Sequence, residues 1–152
     1  METGGRNILV LCTGNSCRSQ MAEAYLKYYS QGLQIFSAGI RADGLNKNMI
    51  EVMLEDGIDV SLQTSNTIEE FENLNFECII TVCDHAKESC PLFPIQSKSF
   101  HQNFTDPANA KGSSDEILNA FRMVRDEIKQ YCKYFIAEYF PNNINQSQIG
   151  KS

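Results

Sequence analysis

Four short segments along the chain have the hydrophobic patterns of β-strands. Largely apolar residues at 8–11 and 77–83 predict buried strands, residues 34–39 alternate as in a strand, and residues 97–104 predict a weaker one. Segments with helical periodicity separate these strands. Strands that alternate with helices predict one α/β domain, with a central, mostly parallel sheet of about four strands and helices on both faces.

Helix signals lie in the spaces between the predicted strands. A first helix is expected from Met21 and fades near residues 30–32. Asn46 is the predicted N-cap of a second helix, with Ile50, Met53 and Leu54 on one face. The next segment, 67–70, has capping-box spacing and predicts a short third helix.

The last helix has the clearest pattern. It should begin with a capping box at residues 113–116 and end before Pro141. Apolar residues recur along it at spacings of three and four: Ile117, Phe121, Val124, Ile128, Tyr131, Phe135 and Tyr139. We therefore expect the domain to span residues 1–141, and the polar residues 142–152 to form a disordered tail.

Three residues with reactive side chains follow predicted strands. Cys12 comes directly after the first apolar run, Cys83 ends the third strand, and Asp106 lies in the loop after the fourth. Because the carboxyl ends of parallel strands meet at one edge of the sheet, we expect these side chains to share one site.

Residues 12–19 read Cys-Thr-Gly-Asn-Ser-Cys-Arg-Ser and lie between the first strand and the first helix. Backbone N–H groups and the positive end of the helix dipole should converge there on an anion. The same field favours a thiolate at Cys12 and predicts a lowered pKa for it. Arg18 has the planar fork that holds two oxygens of a tetrahedral oxyanion.

Residues 12–23 resemble the signature of the low-molecular-weight tyrosine phosphatase superfamily and, within it, of the thioredoxin-coupled arsenate reductases. The resemblance covers about residues 6–140. It implies that Cys12 is the nucleophile and that Asp106, in an Asp-Pro pair, is the general acid. The implied oxyanion-binding residues are Thr13, Gly14, Asn15, Ser16, Cys17, Arg18 and Ser19.

Phosphatase chemistry leaves Cys83 and Cys90 without a role. Reduction of arsenate to arsenite takes two electrons, and a single thiol supplies them only if a second thiol leaves a disulfide behind. The segment around these cysteines, including Pro91 and Pro94, resembles the redox loop of the arsenate reductases. The implied relay runs from Cys12 to Cys83 to Cys90, and thioredoxin reduces the final disulfide.

Two positions depart from the pattern of the arsenate reductases. Gln63 and Asn66 stand where some of these enzymes carry a histidine and an aspartate. The resemblance implies a monovalent cation site at Asn15, Glu23, Ser37 and Asn66. Because asparagine replaces a carboxylate, we expect no strong potassium dependence.

Charge and composition exclude several classes of protein. A net charge of -6 argues against nucleic-acid binding, and no apolar stretch is long enough to span a membrane. The amino-terminal residues lack a secretion signal, so we expect a cytoplasmic protein whose six cysteines are thiols rather than a disulfide framework. We also expect a monomer with no tightly bound cofactor.

The spacing of Cys83, His85, Cys90 and His101 is not that of a zinc site, so no metal is predicted. Two functions other than arsenate reduction stay open: a phosphatase acting on phosphate monoesters, and a non-catalytic oxyanion-binding redox module. Ala108 follows the Asp-Pro pair where phosphatases usually carry aromatic residues, which favours a small inorganic anion. Phosphate and sulfate should then compete with arsenate.

Overall fold

The computed structural model describes residues 6–84 and 97–148, so Cys90 and His85 lie outside the described residues. The four β-strands of the described part are Arg6–Cys12 (β1), Leu33–Gly39 (β2), Cys78–Thr81 (β3) and Lys98–His101 (β4). Its α-helices are Arg18–Tyr29 (α1), Lys47–Glu55 (α2) and Ser114–Tyr139 (α3).

The strands form one parallel sheet in the order β2-β1-β3-β4. This confirms the predicted α/β fold with its four-stranded sheet. β1 is paired on both sides, so its last residue, Cys12, lies beside Gly39 of β2, and Leu11 lies beside Thr81 of β3. The ends of three strands therefore surround the start of the 12–19 loop.

The core is built around β1 and the contact between α1 and α3. Residues 8–11 of β1 are fully buried, and α1 is buried along most of its length. Tyr25 on α1 and Phe121 and Phe135 on α3 are among the largest fully buried side chains. Each such side chain contributes about 1.5–3 kcal/mol through the hydrophobic effect. Among the helices of residues 6–84 and 97–148, none is long and apolar enough to cross a membrane.

Asn46 caps α2 as predicted, and its side chain accepts hydrogen bonds from two backbone N–H groups of the first turn. The predicted buried face is only partly right, because Leu54 is 54% exposed. The buried residues are Met49, Val52 and Met53. Apolar residues cover more than half of this helix, so periodicity alone did not select the face that packs.

The capping-box segment forms a short helix as predicted, the 3-10 helix Ile68–Phe71. The chain beyond α3 differs from the prediction, because residues 142–148 are not a disordered tail. Ile144 forms an antiparallel bridge with Ser30, and the Asn145 N–H donates to the carbonyl of Tyr29. Hydrogen bonds to the carboxyl-terminal end of α1 hold this polar segment, and its low hydrophobicity did not indicate them.

Candidate active site

The 12–19 loop is held by its carbonyl groups. Every carbonyl from Thr13 to Cys17 accepts a hydrogen bond of 2.9–3.0 Å. The donors, in chain order of the acceptors, are Arg41 N, Asp43 N, the side chains of Gln20 and Ser65, Asn46 N and Met21 N. In a trans peptide the N–H points opposite to the C=O. The N–H groups of residues 14–18 are therefore directed to the inner side of the loop.

A cavity of about 360 Å³ lies on this inner side. It is lined by the loop itself together with a few residues from other segments: Cys12, Thr13, Gly14, Asn15, Ser16, Cys17, Arg18, Arg41, Asp43, Asp106 and Ala108. α1 begins at Arg18, so the positive end of its dipole adds to the N–H groups. Both features favour an anion at this position.

The guanidinium of Arg18 is fixed beside the cavity. Its Nη1 donates to the carbonyl of Phe104 at 2.9 Å, and its Nη2 lies 3.5 Å from Oδ2 of Asp106. Only 11% of the side chain is exposed. Because the group is anchored and partly desolvated, little entropy is lost when it binds an oxyanion.

Asp106 lines the cavity, with one carboxyl oxygen in a backbone hydrogen bond and the other beside Arg18. Oδ1 accepts from Ala108 N at 3.0 Å and so caps the 3-10 helix Pro107–Asn109. This cap fixes the side chain, and Oδ2 faces Arg18. The arrangement suits proton transfer to a bound oxyanion, and the general-acid role stays a prediction.

The structure brings Cys83 against Cys12. The two side chains are buried and hydrogen-bonded to each other. The Sγ atom of Cys83 also lies 3.3 Å from Oγ1 of Thr13, the next residue of the loop. Two thiols at the ends of neighbouring strands thus meet beside the 12–19 loop, and the one from Cys12 lines its cavity.

The sequence predicted a lowered pKa for Cys12, but the pKa is raised. The hydrogen bond with Cys83 is the largest cause and burial the second, and together they outweigh Arg18 and the backbone N–H of Thr13. The sequence indicated the positive field of the loop but not the second thiol pressed against it. The two cysteines therefore titrate as a pair, in which the loss of one proton opposes the loss of the other.

The remaining described cysteines do not share this contact. Burial and Asp106 raise the pKa of Cys17 to about 12, against the influence of Arg18. Burial also raises the pKa of Cys78, to about 12, and that of Cys132. These thiols stay protonated at neutral pH. Among the described residues, no group of three or more His, Cys, Asp or Glu side chains is placed to hold a metal ion.

Asn15 supports the loop with its side chain. It is fully buried and adopts a left-handed backbone conformation, with φ of 48°. Its Oδ1 accepts from Asn66 N at 2.7 Å, and its Nδ2 donates to the hydroxyls of Ser19 and Ser37. The side chain is thus directed into the protein, and only the backbone of Asn15 contributes to the predicted oxyanion site.

Several supporting residues were not identified from the sequence. A Cβ at Gly39 would lie 2.6 Å from the carbonyl oxygen of Thr13, so only glycine lets β2 approach the loop. Gln63 donates to Gln20, which in turn donates to the carbonyl of Asn15. The glycine at the end of the predicted strand 34–39 was visible in the sequence, whereas no sequence pattern indicated that Gln63 and Gln20 would pair.

The predicted cation site is assembled, but its groups do not fit a bound potassium ion. The hydroxyl of Ser37 donates to Glu23 and accepts from the amide of Asn15, so these groups satisfy one another. Nζ of Lys27 lies 2.5 Å from Oε2 of Glu23 and neutralises the only carboxylate of the four residues. Asn66 adds a neutral amide. The Lys27 ammonium thus already pairs with the carboxylate that an external cation would need.

Comparison with known proteins relates the chain to two activities. The family described as low molecular weight phosphotyrosine protein phosphatase matches residues 7–146. An arsenate reductase of Halalkalibacterium halodurans is 46% identical over 129 residues, which are 84% of this chain and 93% of that protein.

Arsenate reductases are also found among the solved structures that resemble this chain. An arsenate reductase in the oxidized state has a TM-score of 0.75 and 30% identity, over 88% of this chain and 98% of the other. An arsenate reductase in the phosphate binding state has a TM-score of 0.62 and 27% identity, with the same coverage. The family match at residues 7–146 contains every residue that lines the cavity described above.

Replacing Gly39 with alanine should distort the 12–19 loop. The new Cβ would meet backbone atoms that cannot move independently, so we expect the affinity for inorganic phosphate to fall by at least about tenfold. Calorimetric titration measures this affinity. Gly57→Ala is the control, because its φ of 79° makes alanine strained at a position with no neighbouring atom within 4 Å. Equal losses in both variants would contradict the assignment.

Removing the second thiol should lower the pKa of Cys12. In Cys83→Ala the hydrogen bond that raises this pKa is gone, and the thiolate fraction grows about tenfold for each pH unit by which the pKa falls. The pH profile of Cys12 alkylation by iodoacetamide, read by peptide mass spectrometry, should move to lower pH. Cys132→Ala should leave the profile unchanged. A profile that stays in place in Cys83→Ala would refute the coupling.

Potassium should not stabilise the native chain. A site filled at 100 times its Kd would add about 2.7 kcal/mol to the free energy of unfolding, so its presence would be visible. We expect equal Tm values in potassium chloride and in tetramethylammonium chloride at the same ionic strength. A double variant, Lys27→Met with Asn66→Asp, should gain a potassium response. A potassium-specific rise in the native Tm would overturn the fit described above.

Proposed function

The chain belongs to the low molecular weight phosphotyrosine protein phosphatase family, and we propose that within this family it reduces arsenate to arsenite. The observation that carries this proposal is the contact between the Cys12 and Cys83 thiols. Hydrolysis of a phosphate ester needs one nucleophilic thiol, whereas a two-electron reduction needs two. The arsenate reductases among the similar proteins support the same choice of substrate.

The first step uses the groups around the cavity. Arsenate binds to the N–H groups of the 12–19 loop and to Arg18, in the place where phosphate or sulfate would compete. The thiolate of Cys12 attacks arsenic and displaces a hydroxyl group of arsenate, which Asp106 protonates so that it leaves as water. A covalent thiol-arsenate results, with arsenic still in the +5 state.

The second step transfers the electrons. The thiolate of Cys83 attacks Sγ of Cys12, so that a sulfur–sulfur bond forms and the sulfur–arsenic bond breaks. The electron pair of the broken bond stays on arsenic, which leaves as arsenite in the +3 state. The two sulfurs have each lost one electron, and the electron count balances. This step requires the close approach of the two sulfurs.

The third step regenerates Cys12. The thiolate of Cys90 attacks Cys83, releases Cys12 as a thiolate and leaves a Cys83 to Cys90 disulfide. An external dithiol protein of the thioredoxin type reduces this disulfide and returns the enzyme to its starting state. Cys90 lies outside the described residues, so its part in the relay rests on the sequence resemblance.

The shape of the cavity favours a small anion over an aryl phosphate. Ala108 lines its wall after the Asp-Pro pair, and none of the described residues that line it is aromatic. An aromatic wall would hold the phenol ring of phosphotyrosine. Cys12, Arg18 and Asp106 still suffice for ester hydrolysis, so we propose a residual phosphatase activity.

Single cysteine substitutions separate the steps. Cys83→Ser should release no arsenite, because no second thiol attacks Cys12. Cys90→Ser should release one equivalent of arsenite and stop with a Cys12 to Cys83 disulfide. Neither variant should sustain turnover, while both hydrolyse a small aryl phosphate. The measurements are arsenite release, NADPH loss in an assay with thioredoxin and thioredoxin reductase, and mass spectrometry of the disulfides.

Cys132→Ala is the matched control, because this thiol lies buried on α3 and should be dispensable for turnover. Sustained arsenate reduction by Cys83→Ser or Cys90→Ser would refute the relay. Aryl phosphate hydrolysis by the native chain without any arsenate-dependent NADPH loss would identify a phosphatase. The absence of both activities would identify an oxyanion-binding module.

A further inference from the structure

A single imidazole bridges the two ends of the segment that carries Cys83. Nδ1 of His101 lies 2.6 Å from Oγ1 of Thr81, the last residue of β3. Nε2 of the same ring lies 2.7 Å from Oδ1 of Asp84. Because a carboxylate only accepts hydrogen bonds, Nε2 carries a proton and donates it to Asp84. Cys83 is thus bracketed by two residues that the same ring holds.

Backbone hydrogen bonds extend this connection beyond the sheet. The Gln102 N–H donates to the carbonyl of Thr81, and the Phe104 N–H donates to that of Val82. The Asp84 N–H donates to Oδ1 of Asn103 at 3.0 Å. Residues 81–84 are therefore joined to residues 101–104 by main-chain and side-chain bonds. The carbonyl of the last of these, Phe104, also accepts from Arg18.

We propose that His101 is a positioning residue for Cys83, acting through Asp84 and Thr81. The ring fixes the backbone on both sides of Cys83 and so presents its Sγ atom to Cys12. This inference rests on the proposed function, because the attack of one thiol on the other requires that alignment. Both nitrogens of the His101 ring are bonded to Thr81 and Asp84 and not to a residue of the proposed reaction, so its role is to position and not to react.

The burial of the His101 ring supports a role beyond surface charge. An ion pair between fully exposed side chains is worth little. Asp84 is 68% exposed, but only 22% of the His101 side chain is, and its second nitrogen is bonded to the buried residue Thr81. The ring is held independently of Asp84, so it offers a fixed donor to the carboxylate that follows Cys83.

The test measures how readily the two sulfurs join, without arsenate. In a Cys90→Ser background, diamide accepts two electrons and two protons from Cys12 and Cys83 and leaves a disulfide between them. Asp84→Ala should slow this bond formation about fivefold, the change expected from the loss of one partly exposed hydrogen bond. Asp84→Asn keeps an oxygen that accepts from Nε2 and should restore most of the rate. His101→Ala should be slowed at least as much as Asp84→Ala.

Aryl phosphate hydrolysis, which needs Cys12 but not Cys83, is the second measurement on each variant. It should stay unchanged in Asp84→Ala, and Asp59→Ala, at another exposed carboxylate, should change neither measurement. Equal diamide rates in Asp84→Ala and the parent would overturn the proposal. A parallel fall of both activities would also overturn it, because it would indicate general destabilisation. Neither readout involves arsenate, so failure of arsenate reduction would leave this test intact.

Discussion

The carbonyl groups of residues 13–17 all point away from the oxyanion cavity, and the geometry of the candidate active site depends on this constraint. Their hydrogen bonds to segments near residues 20, 41–46 and 65 turn the opposite faces of the same peptides towards the cavity. The anion site is therefore made by the scaffold that surrounds the loop. Gly39 and Asn15 belong to that scaffold, since one allows the close approach of β2 and the other ties the loop to Asn66.

Sheet order explains why two thiols meet at this loop. β3 pairs with β1 although more than sixty residues separate them in the sequence, so the segments after both strands emerge side by side. β4 pairs with β3 in turn and carries His101 and the loop to Asp106. Cys12, Cys83 and Asp106 thus follow the carboxyl ends of three neighbouring strands, as expected for a parallel sheet.

The sequence was informative where a local pattern determines the structure. Apolar runs located the strands, and the strand-to-helix junction located the 12–19 loop. It failed where distant contacts decide. The direction of the Cys12 pKa depends on Cys83, and the ordered segment after Pro141 depends on bonds to the end of α1. The role of Gln63 depends on a side-chain pair that no local pattern reveals.

The contact of Cys12 with Cys83 raises the pKa of Cys12, and the second step of the proposed reaction requires the same contact. The raised pKa of Cys12 hinders the proposed reaction only to a limited extent, because each step needs only one thiolate. At the start the pair has to lose one proton, and Arg18 favours the charge on Cys12. Once Cys12 is bonded to arsenic its sulfur no longer carries that charge, and the repulsion that opposed a second ionisation disappears. In the proposed reaction Cys83 then ionises beside a sulfur that has become its target, so the coupling of the two thiols would order the two steps in time.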